Sequence, residues 1–180
     1  MKRNLCFFSV YVIMIGIMYP GANTVNPTSF PPVSGEQPRI LILGSMPSVR
    51  SREEGFYYAH PRNRFWSVLA ACFESEVPQT VEEKKSLLFA NGIALWDVVA
   101  CCEIHASDDS TIRNPVCNDI AGFVSGSSIQ KILCNGQKAY QLYCRTNELA
   151  LPAVSMPSTS PANAAWSLEK LINIWKTELL

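Results

Sequence analysis

Apolar residues fall along this chain in two alternating rhythms, short unbroken runs and amphipathic stretches, separated by clusters of Pro, Ser, Asn and Gly. Arg39-Ile40-Leu41-Ile42-Leu43, closed by Gly44, has the pattern of a strand buried on both faces. Gly92 to Trp96, ended by Asp97, and Ile129 to Leu133, ended by Cys134-Asn135-Gly136, repeat that pattern, and Ala153-Val154-Ser155 is a shorter fourth run. Between them, Asn63 to Phe73 places Phe65, Trp66, Leu69, Ala70 and Phe73 on one helical face. Glu82 to Ala90, Asn118 to Ser125, Gln137 to Cys144 and Ala164 to Thr177 predict further helices. Strands alternating with helices predict an α/β fold, a single-domain three-layer αβα sandwich around a mainly parallel four-stranded sheet. Chemistry in such folds collects at the carboxyl ends of the strands. Here those ends are Gly44 to Ser51, Asp97, Asn135 and Pro157 to Asn163.

With 180 residues, 48% of them hydrophobic, the chain suffices for one domain with a buried core. Residues 23 to 38 hold four prolines and no apolar period, which reads as a loop, with the folded part beginning near Pro38. Residues 1–28 stand apart as a leader, since Met1 to Asn4 is basic and Leu5 to Tyr19 almost wholly apolar. The preferred reading is an upstream start that adds a non-native leader, Met14 and Met18 being alternative starts, and this implies a cytoplasmic, nucleoid-associated protein. A true signal or membrane anchor is the rival. The domain is then assigned to residues 29–180.

The formal charge is zero, and Lys2 and Arg3 are the only charged residues before Gly35, so the leader removed leaves 13 basic against 15 acidic residues. That excludes a general polyanion trap and leaves a local basic face, with Arg50, Arg52, Arg62, Arg64, Lys138 and Arg145 as candidates, for any nucleic-acid contact. Seven cysteines without a C-x-x-C pair signal neither a disulfide framework nor a zinc site, and they read as mostly reduced, buried small hydrophobes. No Gly-rich dinucleotide fingerprint and no internal repeat occur.

Asn135, before Gly136 at a strand exit, offers both donor and acceptor to a ligand edge, or serves a tight turn. Asp97, at the end of its strand, either caps a helix or pairs with a cation, or contacts a ligand. Ser45 or Ser48 with one of the histidines, His60 and His105, suggests an exported serine hydrolase, but the G-x-S-x-G elbow is absent.

Three separated motifs narrow the reaction. Leu41-Ile42-Leu43-Gly44-Ser45-Met46-Pro47-Ser48, Tyr57-Tyr58-Ala59-His60-Pro61-Arg62-Asn63-Arg64-Phe65-Trp66 and Met156-Pro157-Ser158-Thr159-Ser160-Pro161-Ala162-Asn163 closely resemble the hypoxanthine-DNA glycosylase family of the uracil-DNA glycosylase superfamily, over roughly residues 29 to 180. Mismatch-specific uracil-DNA glycosylases carry a block similar to the second motif. The resemblance implies a monofunctional DNA glycosylase of base excision repair, releasing hypoxanthine, uracil or both and leaving an abasic site. It also implies a monomer whose partner is DNA with a deaminated base, with no metal or cofactor, and with a membrane involved only if the leader is real. A non-catalytic DNA-binding module is the alternative.

An enzyme of this kind swings a nucleotide out of the helix, stacks an aromatic ring on it and reads its edge. The resemblance places the stacking ring at Tyr58, with Phe56 and Tyr57 as alternatives and core packing as the bland reading. It places catalysis at Asn63, whose bland reading is a helix N-cap; an amide is no strong base, so its work is holding water and stabilising charge. Ser45, Met46, Asn135 and Asp97 are the expected base contacts. The superfamily's usual Asp or Asn in the first motif is Met46 here, which can do neither job. Ser48, Ser51, Arg62, Ser158, Thr159 and Ser160 are expected to meet the DNA backbone, and Pro161, Ala162 and Asn163 to line a wedge for the gap in the duplex. The rival reading of the last motif is a Pro-Ser loop with Asn163 capping the final helix. His60 is expected to make a structural hydrogen bond rather than do acid-base work.

Overall fold

A computed structural model describes residues 29–104, 108–146 and 151–180. The leader expected over residues 1–28 therefore lies outside the described residues, as does His105. The elements in chain order are β1 (Ile40–Gly44), α1 (Val49–Glu54), α2 (Phe65–Cys72), α3 (Val81–Ala90), β2 (Ile93–Asp97), β3 (Val99–Glu103), β4 (Arg113–Cys117), α4 (Ile120–Ser125), β5 (Lys131–Asn135), α5 (Gln137–Thr146), β6 (Ala153–Met156) and α6 (Leu168–Leu179). No helix among the described residues is long and apolar enough to cross a membrane.

The four-stranded sheet runs β2-β1-β5-β6 and every neighbouring pair in it is parallel. Both faces are covered, so alternate side chains of each strand enter different cores. Leu41, Leu43, Ala94, Ile132 and Cys134 point to one core, where Ile120 and Val124 of α4 and Ala139, Leu142 and Tyr143 of α5 meet them. Ile42, Ile93, Leu95 and Leu133 point to the other, against Phe65 to Cys72 of α2, Leu88 of α3, and Leu171, Trp175 and Leu179 of α6. This is the expected three-layer αβα sandwich with its four-stranded parallel sheet.

Some boundaries differ from expectation. The fold begins before Pro38: Ser29 N donates to Ala100 O at 2.8 Å, Trp96 Nε1 to Phe30 O at 3.0 Å, and Val33 bridges Leu95. The proline-rich stretch thus packs across β2, its backbone polar groups being satisfied without regular structure. The third predicted strand starts at Lys131 rather than Ile129, because the amides of Gln130 and Lys131 turn in onto Arg39 O, and Asn135 is its last residue. Helix α6 starts at Leu168, capped by Ser167, whose hydroxyl accepts from Lys170 N. Asn163 is therefore not the cap of that helix.

Three elements escaped the apolar pattern. Helix α1 is short and mostly charged and has no apolar stripe; Ser48 caps it and Gly55, at φ 71°, ends it. Strands β3 and β4 form a two-stranded antiparallel ribbon outside the main sheet. β4 carries Pro115 and is largely exposed, so neither alternation nor composition marks it as a strand.

Candidate active site

A cleft of about 820 Å³ opens over the carboxyl ends of β1, β2 and β5 and the loop after β6. Parallel strands bring these exits to one edge, so residues from the three sequence motifs converge there. Asn63, Tyr58, Asn135, Asp97, Ser45, Met46, Ser48, Ser51, Ser158, Thr159, Ser160, Ala162 and Asn163 all line the cleft. Arg62 and Pro161 do not.

A chain of amide and hydroxyl contacts crosses the floor. Asn135 and Thr159 clasp each other: Thr159 N donates to Asn135 Oδ1 at 2.9 Å, and Asn135 Nδ2 donates to Thr159 Oγ1 at 2.9 Å. Thr159 Oγ1 in turn donates to Asn63 Oδ1 at 3.0 Å, which also accepts from Phe65 N at 3.0 Å. A backbone N–H can only donate, so the atoms facing Thr159 N and Phe65 N must be the amide oxygens, which fixes both side-chain orientations. Asn63 thereby holds the start of α2 and leaves its own NH2 group without a protein partner among the described residues. The helix-start and cleft-facing readings of Asn63 coexist in one geometry.

Tyr58 lies over this floor with φ 53°, a left-handed conformation that costs a non-glycine residue and is imposed by its surroundings. Phe65 stacks on its ring at 3.9 Å, so a ligand would use the opposite face. Its hydroxyl is buried and finds no hydrogen-bond partner among the described residues. Burial, with the Asp97 carboxyl nearby, pushes that phenol far above its ordinary range. Of the alternative stacking rings, Phe56 is a core residue packed on Trp66, while Tyr57, 2% exposed and packed on Phe30, also reaches the cleft lining.

Asp97 is 3% exposed and neither caps a helix nor enters an ion pair among the described residues, so both bland readings of it are corrected. Ser29 Oγ donates to it at 3.3 Å. Burial raises its pKa to about 7, against the opposing Ser29 contact and aided by Asp109. Gly44 is what lets this carboxyl reach the floor: a Cβ there would stand 2.3 Å from Asp97 Oδ1 and 3.2 Å from the Tyr58 hydroxyl.

The loop after β6 is clamped from below. Arg64 donates through Nε to Thr159 O, through one terminal nitrogen to Ser160 O at 2.7 Å and Asn163 O at 3.0 Å, and through the other to Trp166 O. On the far side Trp175 Nε1 donates to Pro157 O at 3.1 Å. Arg64 is therefore spent on loop carbonyls and leaves the candidate basic face. Arg50 is ion-paired with Glu53 and Glu54, and Arg52 donates to Pro47 O. Two expected backbone contacts are also corrected: Thr159 is fully buried in the clasp, and Ser51, 2% exposed, shares hydrogen bonds with Ser48 Oγ and Ala59 N. Ser158 and Ser160 keep partial exposure on the cleft wall.

Ser45 Oγ donates to Asp109 Oδ2 at 2.5 Å rather than to a histidine, and His60, outside the cleft lining, accepts from Arg62 N through Nδ1 at 3.1 Å. That removes the support for a serine nucleophile. Asp109, with Asp108 and Ile104, lines the cleft from the β3–β4 connection, which the sequence pattern did not single out. The six described cysteines are free, and no cluster of three or more metal-ligating side chains occurs among the described residues.

The family model for the uracil DNA glycosylase superfamily matches residues 31–177. A hypoxanthine DNA glycosylase of Methanosarcina acetivorans is 34% identical over 140 residues, which span 77% of this chain and 89% of that protein. Another from Methanosarcina barkeri is 31% identical over 112 residues, 61% of this chain and 71% of its own. A solution NMR structure described as a candidate uracil DNA glycosylase of Methanosarcina acetivorans superposes with a TM-score of 0.75 at 30% identity, covering 86% of this chain and 97% of that one. Fold, cleft and sequence agree, and the chain belongs to the uracil DNA glycosylase superfamily.

Proposed function

We propose that this protein is a monofunctional DNA glycosylase that releases hypoxanthine, and secondarily uracil, from deaminated DNA, acting as a monomer without a metal. The observation that carries the reading is the convergence of Asn63, Asn135, Asp97 and Tyr58 at the floor of one cleft. The family and the hypoxanthine DNA glycosylase relatives set the reaction class. A cleft of about 820 Å³ has room for a flipped nucleotide.

The exposed face of Tyr58 stacks on the base. Asn135 retains one N–H beyond its bonds to Thr159, and Asp97 in its protonated form adds an O–H, both suited to carbonyl or ring-nitrogen acceptors at a purine edge. As the glycosidic bond lengthens, positive charge grows on the sugar and negative charge on the base. The Asn63 amide, held by Phe65 N and Thr159, meets that change without having to reorient. No lysine lines the cleft among the described residues, which supports base release without strand cleavage through a Schiff base.

The test uses end-labelled duplexes carrying a single deoxyinosine or deoxyuridine. The expected outcome is cleavage only after alkali, faster for deoxyinosine. Binding without alkali-labile product from any duplex or single strand would instead identify a DNA-binding module.

A further inference from the structure

The first motif carries Met46 where the superfamily it resembles usually has an Asp or Asn, and a carboxylate from another part of the chain, Asp109, lines the same cleft. Between β3 and β4 a tight turn runs from Asp108 to Thr111; Asp108 caps it by accepting from Ser110 N at 2.9 Å. The turn aims Asp109 back into the cleft, where Ser45 Oγ donates to its Oδ2 at 2.5 Å. Ser45 is itself fixed at the exit of β1, its carbonyl accepting from Val99 N at 3.1 Å. Asp109 Oδ1 has no hydrogen-bond partner, and no ion pair neutralises the group, among the described residues.

We propose that Asp109, tethered by Ser45, is the carboxylate that orients and deprotonates the attacking water in base release. The inference rests on the glycosylase reading of the cleft. The water oxygen forms the new bond to C1′, and the C1′–N bond breaks with its electron pair leaving on the base. The proton of the attacking water passes to Asp109, and the departing base anion takes up a proton from solvent. Asp109 also faces the cationic sugar as a fixed negative charge, the electrostatic help such a transition state needs.

Two carboxyls in one cleft must divide their labour. Asp97 sits deeper and is pushed up to about 7, which suits a hydrogen-bond donor to the base. Asp109 is raised by burial, but the Ser45 hydroxyl and Lys138 of α5 oppose this and favour its ionised form. The other titratable groups facing it are Asp108 on its own turn, Asp97 on β2, Tyr58 and Cys102 of β3.

Single-turnover release is measured for the parent, Asp109→Asn and Asp109→Glu on deoxyinosine and deoxyuridine duplexes, alongside binding of a duplex with a tetrahydrofuran abasic analogue. Asp109→Asn is expected to lose about 100-fold or more in rate while binding stays within about three-fold, with Asp109→Glu keeping more of the rate. Formate is expected to restore part of the rate of Asp109→Ala, which a merely structural carboxylate would not allow. An active parent with an Asp109→Asn rate within about three-fold of it overturns the proposal and leaves the glycosylase reading standing. Equal losses of rate and binding overturn it too. A parent inert on every duplex overturns both. If Asp109→Asn fails to fold, Ser45→Ala keeps the carboxylate and removes its tether; a drop of about ten-fold is then expected, and an unchanged rate defeats the proposal.

Discussion

Asp97 ends β2 with its carboxyl behind Gly44, where among the described residues one hydrogen bond, from Ser29, offsets its removal from water. The unfolded chain titrates this group near 3.8 and the fold near 7, so folding favours the protonated form. The associated stability is fully present below about pH 4 and is lost as pH rises through 7. Asp97→Asn keeps the shape and removes the ionisation. It is expected to be more stable than the parent at pH 8, by up to roughly 4 kcal/mol, with the gain vanishing toward pH 4. Urea unfolding at both pH values checks the sign; a parent that grows more stable from pH 5 to 8 relative to the variant would contradict it.

At the same scale, Asn135 is legible as an amide at a strand exit before a glycine, whereas Asn63 is placed in the site by the resemblance of the second motif, its position alone marking a helix start. Thr159 differs from its expected backbone contact for a physical reason. Its partners lie 24 and 96 positions away, and a hydroxyl in a Pro-Ser loop looks solvated until the fold closes over it. Asp109 was invisible likewise, since its chemistry depends on Ser45, 64 positions earlier.

The elements that carry the sheet were legible because each buries a run or stripe of apolar residues, as with Ile40–Gly44 and Phe65–Cys72. Helix α1 and the β3–β4 ribbon bury little along a regular period, and so their sequences resemble loops. The loop after β6 is held by an element far from it, through Arg64 at the start of α2. Several donors of one planar guanidinium serve four carbonyls, a geometry an ammonium cannot copy. Arg64→Lys is therefore expected to cost about 1–3 kcal/mol in stability, since partly buried carbonyls lose charged donors. It should also weaken abasic-duplex binding, because Ser158 to Asn163 lose their fixed conformation. Thermal unfolding and a binding titration read the two effects, and a variant indistinguishable from the parent in both would rule out the clamp.

Over the whole molecule, the formal charge is zero, Arg52 and Arg64 are bonded to backbone carbonyls and Arg50 is in a surface ion pair, so of the candidate basic face Arg62, Lys138 and Arg145 stand outside ion pairs among the described residues. Grip must come mainly from neutral groups such as Ser158 and Ser160 and from the base in its pocket. Affinity for a damaged duplex should then fall only shallowly with salt, with a logarithmic slope no steeper than about −3. A slope near −8 would point to an extended basic surface and contradict this reading.

The most direct test of the central claim is detection of the released base itself, by mass spectrometry of a deoxyinosine duplex incubated with the parent protein and with Asn63→Ala. Free hypoxanthine appearing in step with intact abasic strand, and falling by about 100-fold in the variant, is the result that a held amide at the head of α2 predicts. No free base from the parent, or equal release from both proteins, would contradict it.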